Sequence, residues 1–315
     1  MTSAVTSPTP AAIVVVGECL VDLAPLPGPA SGTAAPGTAG RGTGALSGAV
    51  QHLAAMAGGS PANVAVGLAR LGACSKFAGR FSGQGFGPWL RDHLAGNGVE
   101  LGLSLTATQP ATLALVTFAS GGRASYTFYG PETADWQWGY DELPGTAGPP
   151  LDELGVAAVH TGSLVAAFLP GAEALSRWLA ALRAAGKVVV SFDPNVRPAL
   201  ADHVPGYRQR LEAMIASSHI VKASDEDIAA LYPGADLEQA AERWLAAGPS
   251  LVVVTRGAEG ATALHTSGAR ACSVPPPVTL ADTIGAGDAF TAGLLSYFLD
   301  DGVLSPAGLA GLSPA

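Results

Sequence analysis

Charged side chains are scarce in this 315-residue sequence, and their scarcity excludes two classes of partner. Charged residues make up 13% of the chain, and 16 Lys plus Arg against 25 Asp plus Glu give a formal net charge of −9. No cluster of Lys or Arg interrupts this acidic balance. Nucleic acids and anionic membranes are bound through clustered cationic side chains. The sequence therefore predicts neither of them as a partner.

Cysteine is also rare, and long apolar runs are missing. Cys19, Cys74 and Cys272 are far apart and form no CxxC pair, so we expect neither a disulfide framework nor a zinc cluster. The N-terminal segment has neither the cationic nor the apolar part of a secretion signal. Gly, Ser, Thr, Gln or Pro breaks each long uncharged stretch. The sequence therefore predicts a cytoplasmic protein without a membrane span.

Short β-rich apolar runs alternate with amphipathic stretches, which is the order expected of a parallel sheet covered by helices. The predicted strands are residues 12–16, 76–79, 156–160, 188–192, 219–223 and 251–255. The predicted helices are residues 61–71, with Ser60 as N-cap, 87–97, 172–185, 207–217, 237–247 and 287–299. Two regions depart from this order. Residues 25–48 are dense in Gly, Pro, Ala, Thr and Ser and predict a mobile loop. Residues 106–129 alternate around a turn-like SGGR and predict a hairpin, which we expect to cover a ligand cleft.

The most informative motif is DTIGAGDAFTAGL at residues 282–294. Gly285 and Gly287 permit a tight turn directly before an amphipathic helix. Unpaired N–H groups at a helix N-terminus, together with the helix dipole, attract phosphoryl oxygens. Asp288 lies in the first turn of this helix. A carboxylate there either stabilises the helix or, beside a bound phosphate, accepts the proton of an attacking hydroxyl.

Together with GGSPANVAVGLARLGA at residues 58–73, this motif resembles the paired motifs of the ribokinase-like (PfkB) carbohydrate kinases. The resemblance runs from Gly17 to about Leu299. It implies a doubly wound, mainly parallel α/β sheet flanked by helices, in a kinase domain at 11–315 with small β-sheet lid elements at about 20–57 and 104–135. It also implies ATP-dependent phosphorylation of a sugar hydroxyl, with Mg²⁺ on the ATP oxygens. The catalytic residues it implies are Asp288 as base and Gly285, Ala286 and Gly287 as the anion hole.

Residues for the sugar follow the first strand and enter the first helix. Asp22 stands just past a strand's carboxyl end, where α/β sheets bind ligands, and is either a solvated loop carboxylate or an acceptor for two sugar hydroxyls. The glycines before Asn63 either serve turn geometry alone or let a sugar approach the backbone. Arg197 also suits bidentate contact with a phosphate. The substrate-binding residues implied by the resemblance are Asp22, Gly58, Gly59, Asn63, Ser163 and Arg197.

A second set of residues is expected on the nucleotide side. The cofactor-binding residues that the resemblance implies are Asn195, Lys222, Ser224, Thr255, Arg256, Gly257 and Gly260, although a tight hairpin turn explains the last four equally well. Many relatives carry Asn and Glu at the positions of Ser224 and Asp227, where they help to organise metal and phosphate. Asp227 is therefore expected to reach Mg²⁺ through water. Asp282 and Thr283 form a candidate monovalent-cation site for K⁺.

The substrate is indicated by YTFYGPETADW, HTGSL, DPNVRP and KASDED, which together look most like the fructokinase branch and favour fructose. A kinase for 2-keto-3-deoxygluconate, ribose or a nucleoside remains an alternative. So does a catalytically weak sugar-binding or regulatory protein, because relatives continue past the GAGD helix with further adenine-walling structure, whereas here a Gly/Ser/Pro-rich tail ends at Ala315. Exposed edge strands of the expected lid favour a homodimer formed by lid pairing.

Overall fold

The computed structural model describes residues 11–26, 52–118, 124–201, 203–279 and 283–312. The strands among them are β1 (Ala12–Val16), β2 (Leu20–Pro25), β3 (Leu53–Gly58), β4 (Cys74–Ala78), β5 (Arg80–Ser82), β6 (Leu105–Ala107), β7 (Leu113–Phe118), β8 (Ala124–Tyr129), β9 (Val156–Gly162), β10 (Val189–Asp193), β11 (Ile220–Ser224), β12 (Leu251–Thr255), β13 (Ala261–His265) and β14 (Arg270–Ser273). The α-helices are α1 (Ser60–Arg70), α2 (Gly87–Gly96), α3 (Gly171–Ala185), α4 (Pro198–Ala201), α5 (Tyr207–Ala216), α6 (Asp225–Leu231), α7 (Leu237–Ala247), α8 (Ala286–Asp300) and α9 (Pro306–Ala310).

The main sheet confirms the predicted fold class. Its strand order is β14-β13-β12-β11-β10-β9-β1-β4, with parallel pairing from β12 to β4 and antiparallel pairing at β13 and β14. Every residue of β1 and β10 is buried, because helices and their apolar faces cover both sides of the sheet. Two large apolar clusters, one on each face, make up this core.

The six strands and six helices predicted from the sequence all occur, with ends that differ by no more than two residues. The predicted N-cap of the first helix is wrong. Gly59 is the N-cap of α1, and Ser60 is already helical with no side-chain cap bond. Its hydroxyl instead donates a hydrogen bond to Asp288 Oδ1, a long-range partner that sequence spacing does not reveal.

A separate small sheet has the order β3-β2-β7-β8. The antiparallel pairing of β7 with β8 confirms the two strands of the predicted hairpin, while residues 119–123 between them lie outside the described residues. The earlier part of the predicted hairpin is wrong, because β6 pairs with β5 in a sheet of its own. Within the predicted loop at 25–48, residues 27–48 lie outside the described residues. That the small sheet acts as a lid stays a prediction.

Helices α1 and α8 approach each other closely, and this contact positions the site. A Cβ built on Gly67 in α1 would lie 2.7 Å from the Cβ of Ala292 in α8, so only glycine permits this spacing. The start of α1 is thereby brought against the first turn of α8. After α8 the tail forms α9, whose Leu309 is buried and accepts a hydrogen bond from His265 Nε2. In the described part of the chain, no helix has the length and apolar character needed to cross a membrane.

Candidate active site

A cavity of about 670 Å³ lies where the carboxyl ends of the main-sheet strands face the small sheet. We call the part lined by Leu20, Asp22, Tyr126 and Phe128 the small-sheet end, and the part lined by Thr255, Gly257, Gly260 and Ser273 the main-sheet end. The start of α8 lines the same cavity through its N-cap Gly285 and its first three residues, Ala286, Gly287 and Asp288. Parallel α/β sheets bind ligands at this edge, so the cavity has the position of an active site.

The turn before α8 presents backbone donors to the cavity. Gly285 is the N-cap with a left-handed φ of 75°, and as a glycine it supplies no side-chain cap of its own. The Ala286 N–H donates to the Thr283 carbonyl at 3.2 Å, so this predicted anion-hole donor is used within the turn. The N–H groups of Gly287 and Asp288 belong to the first turn, where a helix supplies no acceptor. These two donors suit an anion.

The Asp288 carboxylate lies beside these donors and is held by α1. Ser60 Oγ donates to Asp288 Oδ1 at 2.6 Å, and Asn63 Nδ2 donates to Oδ2 at 2.8 Å. Asp288 is 8% exposed and faces the cavity. Asn63, predicted to contact a sugar, contacts Asp288 in this structure while also lining the cavity. The carboxylate is thus oriented by two side chains from one helix.

A buried ammonium group lies against the same turn. Lys222 Nζ forms a 2.9 Å ion pair with Asp193 Oδ2, and a Cβ built on Gly287 would lie only 2.8 Å from it. Burial opposes the charged form, but Asp193 and, further away, Asp227 and Asp288 raise the pKa of Lys222 above its ordinary value. Lys222 is therefore a fixed positive charge next to the unpaired donors of Gly287 and Asp288.

Asp227 bonds to the protein through both carboxylate oxygens. Its Oδ1 accepts from Val196 N at 2.6 Å, and its Oδ2 accepts from both Ser224 N and Ser224 Oγ at 2.7 Å. Burial, with the charge of Asp193 adding, raises the pKa of Asp227. Ser224 and Asp227 thus form the capping box of α6, and both line the cavity.

The acidic residues at this end suit a metal that arrives with phosphates. Among the described residues, no three His, Cys, Asp or Glu side chains are grouped to hold an ion. Mg²⁺ commonly uses one or two carboxylates together with waters and phosphate oxygens, so Asp227 with Asp225 and Glu226 on the cavity wall fits it. Thr283 lines the cavity, but its expected partner for a monovalent cation, Asp282, lies outside the described residues.

At the small-sheet end, Asp22 faces the cavity beside Arg197. Burial raises the pKa of Asp22 to about 6, and the nearby Arg197 guanidinium opposes this shift. Gly58 does not line the cavity. A Cβ on Gly58 would overlap Asp22 Oδ2, so this glycine makes room for the carboxylate. The Arg197 guanidinium also lies 5.8 Å from the Tyr126 ring centroid.

Two predicted residues adopt a backbone conformation that is rare for residues other than glycine. Ser163 has a φ of 62° and Asn195 a φ of 36°, and both line the cavity. The Asn195 N–H donates to Asp193 Oδ1 at 3.0 Å. Such strained residues persist only where surrounding structure fixes them, and they cluster at ligand sites.

The hairpin between β12 and β13 forms a tight turn and also borders the cavity. The Arg256 N–H donates to the Gly260 carbonyl at 2.7 Å, and Thr255, Gly257 and Gly260 line the cavity wall. Arg256 itself does not line it, and its Nη2 donates to Thr262 Oγ1 at 3.4 Å. The predicted role of Arg256 in cofactor binding therefore has no geometric support here.

Sequence reasoning missed several cavity residues. The expectation that Asp22 follows the end of the first strand is wrong, because Asp22 lies within β2. Glu18 is the residue just past the end of β1, and the strand-end rule could have selected it. Ser60 was interpreted as a helix cap. Tyr126 and Phe128 lie on alternate positions of β8 and share one face, but the sequence does not show that this face lines a cavity.

The main sheet, the donors at the start of α8, the adjacent Asp288 carboxylate and the cavity reaching the small sheet place a phosphate site beside a base, which is the arrangement that a small-molecule kinase needs. The chain belongs to the pfkB family of carbohydrate kinases, whose family model matches residues 11–312. It is accordingly a sugar kinase, a phosphotransferase with an alcohol group as acceptor.

Fructokinases are among the known proteins that are similar to this chain. A fructokinase of Rhizobium leguminosarum bv. trifolii is 34% identical over 259 residues, covering 81% of this chain and 76% of that protein. A fructokinase of Klebsiella pneumoniae is 34% identical, covering 82% and 81% of the two chains. A solved fructokinase with bound ATP from Xylella fastidiosa superposes with a TM-score of 0.78 at 27% identity, over 95% of this chain and 84% of that one.

Proposed function

We propose that the protein transfers the terminal phosphoryl group of ATP to a hydroxyl of fructose, with Asp288 as the base. The observation that carries this proposal is the position of the Asp288 carboxylate. It stands between the unpaired donors at the start of α8 and a cavity that extends to Asp22. A sugar hydroxyl at Asp288 would give up its proton while an anion occupies the adjacent donors.

The small-sheet end supplies the acceptor site. Asp22 and Arg197 offer an acceptor and a set of donors for hydroxyl groups. Support for fructose as the acceptor comes from the fructokinases similar to this chain. A solved fructokinase of Vibrio cholerae O395, 25% identical to this chain, contains fructose, ADP and a calcium ion.

The main-sheet end would hold the nucleotide. We propose that Gly257 and Gly260 border the nucleotide and that Lys222 and the Gly287 N–H receive its terminal phosphates. Asn195 would orient these phosphates from its fixed backbone. Asp227, with Asp225 and Glu226, would approach Mg²⁺ through water. When Mg²⁺ is bound, it would neutralise negative charge on the phosphates.

The Asp288→Asn variant tests the base. It keeps the size of the side chain and removes its ability to accept a proton. We expect turnover to fall by about two to four orders of magnitude, while fructose binding measured by calorimetry stays within a few-fold of wild type. Turnover close to wild type in this variant would show that Asp288 is not the base.

A panel of acceptors coupled to ADP detection tests the substrate. Fructose is expected to give the highest kcat/KM among fructose, ribose, 2-keto-3-deoxygluconate and a nucleoside. A higher value for one of the others reassigns the acceptor. Sugar binding without ADP formation from any of them would favour a binding or regulatory protein instead.

Two further properties are part of this proposal. Because the reaction consumes ATP, we place the protein in the cytoplasm. We also propose a homodimer formed through the small sheet, because β3 and β8 are its outer strands and Met56 and Tyr129 on them are 45% and 57% exposed. Scattering measurements that give a monomer mass at micromolar concentration would refute the dimer.

A further inference from the structure

Glu18 is a buried carboxyl group in the cavity wall that the phosphoryl transfer itself does not use. It follows β1, is 1% exposed and lines the cavity together with Leu20 and Ser163. A Cβ on Gly59 would lie 3.2 Å from Glu18 Cγ, so the side chain packs against the entrance of α1. Glu18 therefore stands on the same wall as the proposed acceptor site.

One oxygen of this carboxyl group lacks a partner in the part of the chain that the structure describes. Glu18 Oε2 is buried and has no hydrogen bond, whereas the Ser163 hydroxyl donates to the Glu18 side chain. A buried polar atom without a partner costs free energy comparable to a lost hydrogen bond. Such an atom on a cavity wall indicates a partner supplied by the ligand.

Asp135 provides a comparison within the same region. It is also a buried carboxyl group, but its Oδ1 accepts from Cys19 N at 3.0 Å and its Oδ2 accepts from Thr112 Oγ1 at 2.6 Å. Asp135 does not line the cavity. Its hydrogen bonds are complete within the protein, so its role is to hold the segment after β1. The incomplete bonding of Glu18 is thus not a general property of carboxyl groups here.

The electrostatic surroundings make Glu18 a neutral group. Burial raises its pKa to about 8, the charge of Asp135 adds to this shift, and its backbone hydrogen bond, Ser163 and Arg197 oppose it. A protonated carboxyl group is both a donor and an acceptor. A sugar hydroxyl has the same double capacity, so the two groups match.

We propose that Glu18 determines acceptor specificity by hydrogen-bonding one sugar hydroxyl other than the one phosphorylated. The inference rests on the proposed sugar kinase activity and adds a contact that distinguishes acceptors with and without that hydroxyl. A site that leaves a buried polar group unpaired discriminates strongly against a ligand lacking the matching group.

Two substitutions and a set of deoxyfructoses test this contact. Glu18→Met keeps the approximate volume without hydrogen bonding, and Glu18→Gln keeps a donor and an acceptor. We expect the Met variant to raise the KM for fructose about tenfold with the KM for ATP unchanged, and the Gln variant to stay within about threefold of wild type. Wild type should lose kcat/KM on one deoxyfructose in particular, and the Met variant should not distinguish that compound from fructose.

Asp135→Asn is the matched control, with melting temperature measured for every variant. We expect it to lower stability and to change the KM for fructose much less than the Met variant does, because it removes one charge that raises the pKa of Glu18 but leaves that carboxyl group in place. If the Met variant fails to fold, infrared difference spectra of wild type provide the second test. The carbonyl stretch of a protonated carboxyl group should shift on adding fructose, and this signal should be absent from the Gln variant.

The outcomes separate this inference from the proposed function. If fructose is phosphorylated but wild type and the Met variant respond equally to every deoxyfructose, the role of Glu18 is overturned and the proposed function stands. Water then completes the hydrogen bonding of the Glu18 carboxyl group. An unchanged infrared spectrum on fructose binding does the same. Absence of phosphorylation of every sugar in the acceptor panel contradicts the proposed function instead.

Discussion

Ser60 Oγ donates a 2.6 Å hydrogen bond to Asp288 Oδ1, joining residues 228 positions apart in the sequence. Ser60 begins α1 and Asp288 lies in the first turn of α8. With Asn63 on the other oxygen, the bond fixes the direction of the carboxylate. The two motifs that identify the family are thus parts of one site, because the start of one helix orients the proposed base on the other.

Removing the Ser60 hydroxyl tests this orientation. A hydrogen bond to a charged group contributes about 1.5–3 kcal/mol, so we expect Ser60→Ala to lower kcat by roughly 10- to 100-fold, with a smaller change in the KM for fructose. Ser75→Ala is the control, because the Ser75 hydroxyl donates to Ala65 O at 2.9 Å in the same helix, away from Asp288. An equal loss of kcat in both variants would mean that only helix stability matters.

The contact of Gly67 with Ala292 predicts opposite effects for the same substitution in two helices. Glycine to alanine normally stabilises a helix by about 0.5–1 kcal/mol. At Gly293 a new Cβ meets no atom within 4 Å, so Gly293→Ala should raise the melting temperature and keep kcat. At Gly67 the new Cβ would be 2.7 Å from Ala292, so Gly67→Ala should push α1 from α8, lower stability and reduce kcat. Thermal unfolding and initial rates measure both effects, and a stabilised Gly67→Ala variant would contradict the packing argument.

Features that depend on neighbouring residues in the sequence could be predicted, whereas contacts between residues far apart in the sequence could not. The parallel strands of the main sheet were predicted well because burial on both faces leaves a local apolar signature, as in residues 251–255. The antiparallel strands β13 and β14 were missed, and β14 is exposed along its whole length. The turn at Gly285 and Gly287 was visible because glycine marks backbone geometry. The Ser60–Asp288 hydrogen bond could not be predicted, because a serine before Pro61 also fits a helix N-cap. Only the packing of α1 on α8 shows that the Ser60 hydroxyl bonds to Asp288 and does not cap its own helix. The capping role of Asp227 depends on its near neighbour Ser224 and was visible in the sequence. It was missed because the family resemblance assigned Asp227 to a metal site.

The raised pKa of Asp22 predicts a pH dependence with a defined direction. Burial raises this pKa from 3.8 to about 6, so the folded state disfavours the ionised carboxylate. The cost to stability is small near the unfolded pKa of 3.8, grows as pH rises from there to the folded pKa of about 6, and is complete above it. We expect Asp22→Asn to raise the free energy of unfolding at pH 7.5, by about 1 kcal/mol after allowance for its partial exposure, and to raise it much less near pH 4.

The same ionisation should govern sugar affinity. The ionised carboxylate accepts hydrogen bonds from hydroxyl groups more strongly than the protonated acid, so the KM for fructose should rise as pH falls below about 6. In Asp22→Asn this acidic limb should vanish, with a KM that is high at every pH. Denaturant unfolding and steady-state kinetics between about pH 4 and pH 8 measure both effects. A variant that is less stable than wild type at pH 7.5 would contradict the assigned cost of burial.

Lys222 and Asp193 form a buried pair, and separating its structural role from its role toward phosphate requires a double variant. Lys222→Met alone leaves the Asp193 carboxylate buried without its 2.9 Å partner, which costs about 3–5 kcal/mol and lowers the melting temperature sharply. Lys222→Met with Asp193→Asn removes both charges, so stability should largely return. Activity should not return, because the fixed positive charge beside Gly287 is gone, and we expect kcat about a hundredfold below wild type.

Lys187→Met is the control. It breaks the exposed 3.0 Å ion pair with Asp152 and should change stability and activity little. If the double variant folds and turns over like wild type, the buried lysine serves the fold and the phosphoryl group is stabilised by the donors of α8 alone.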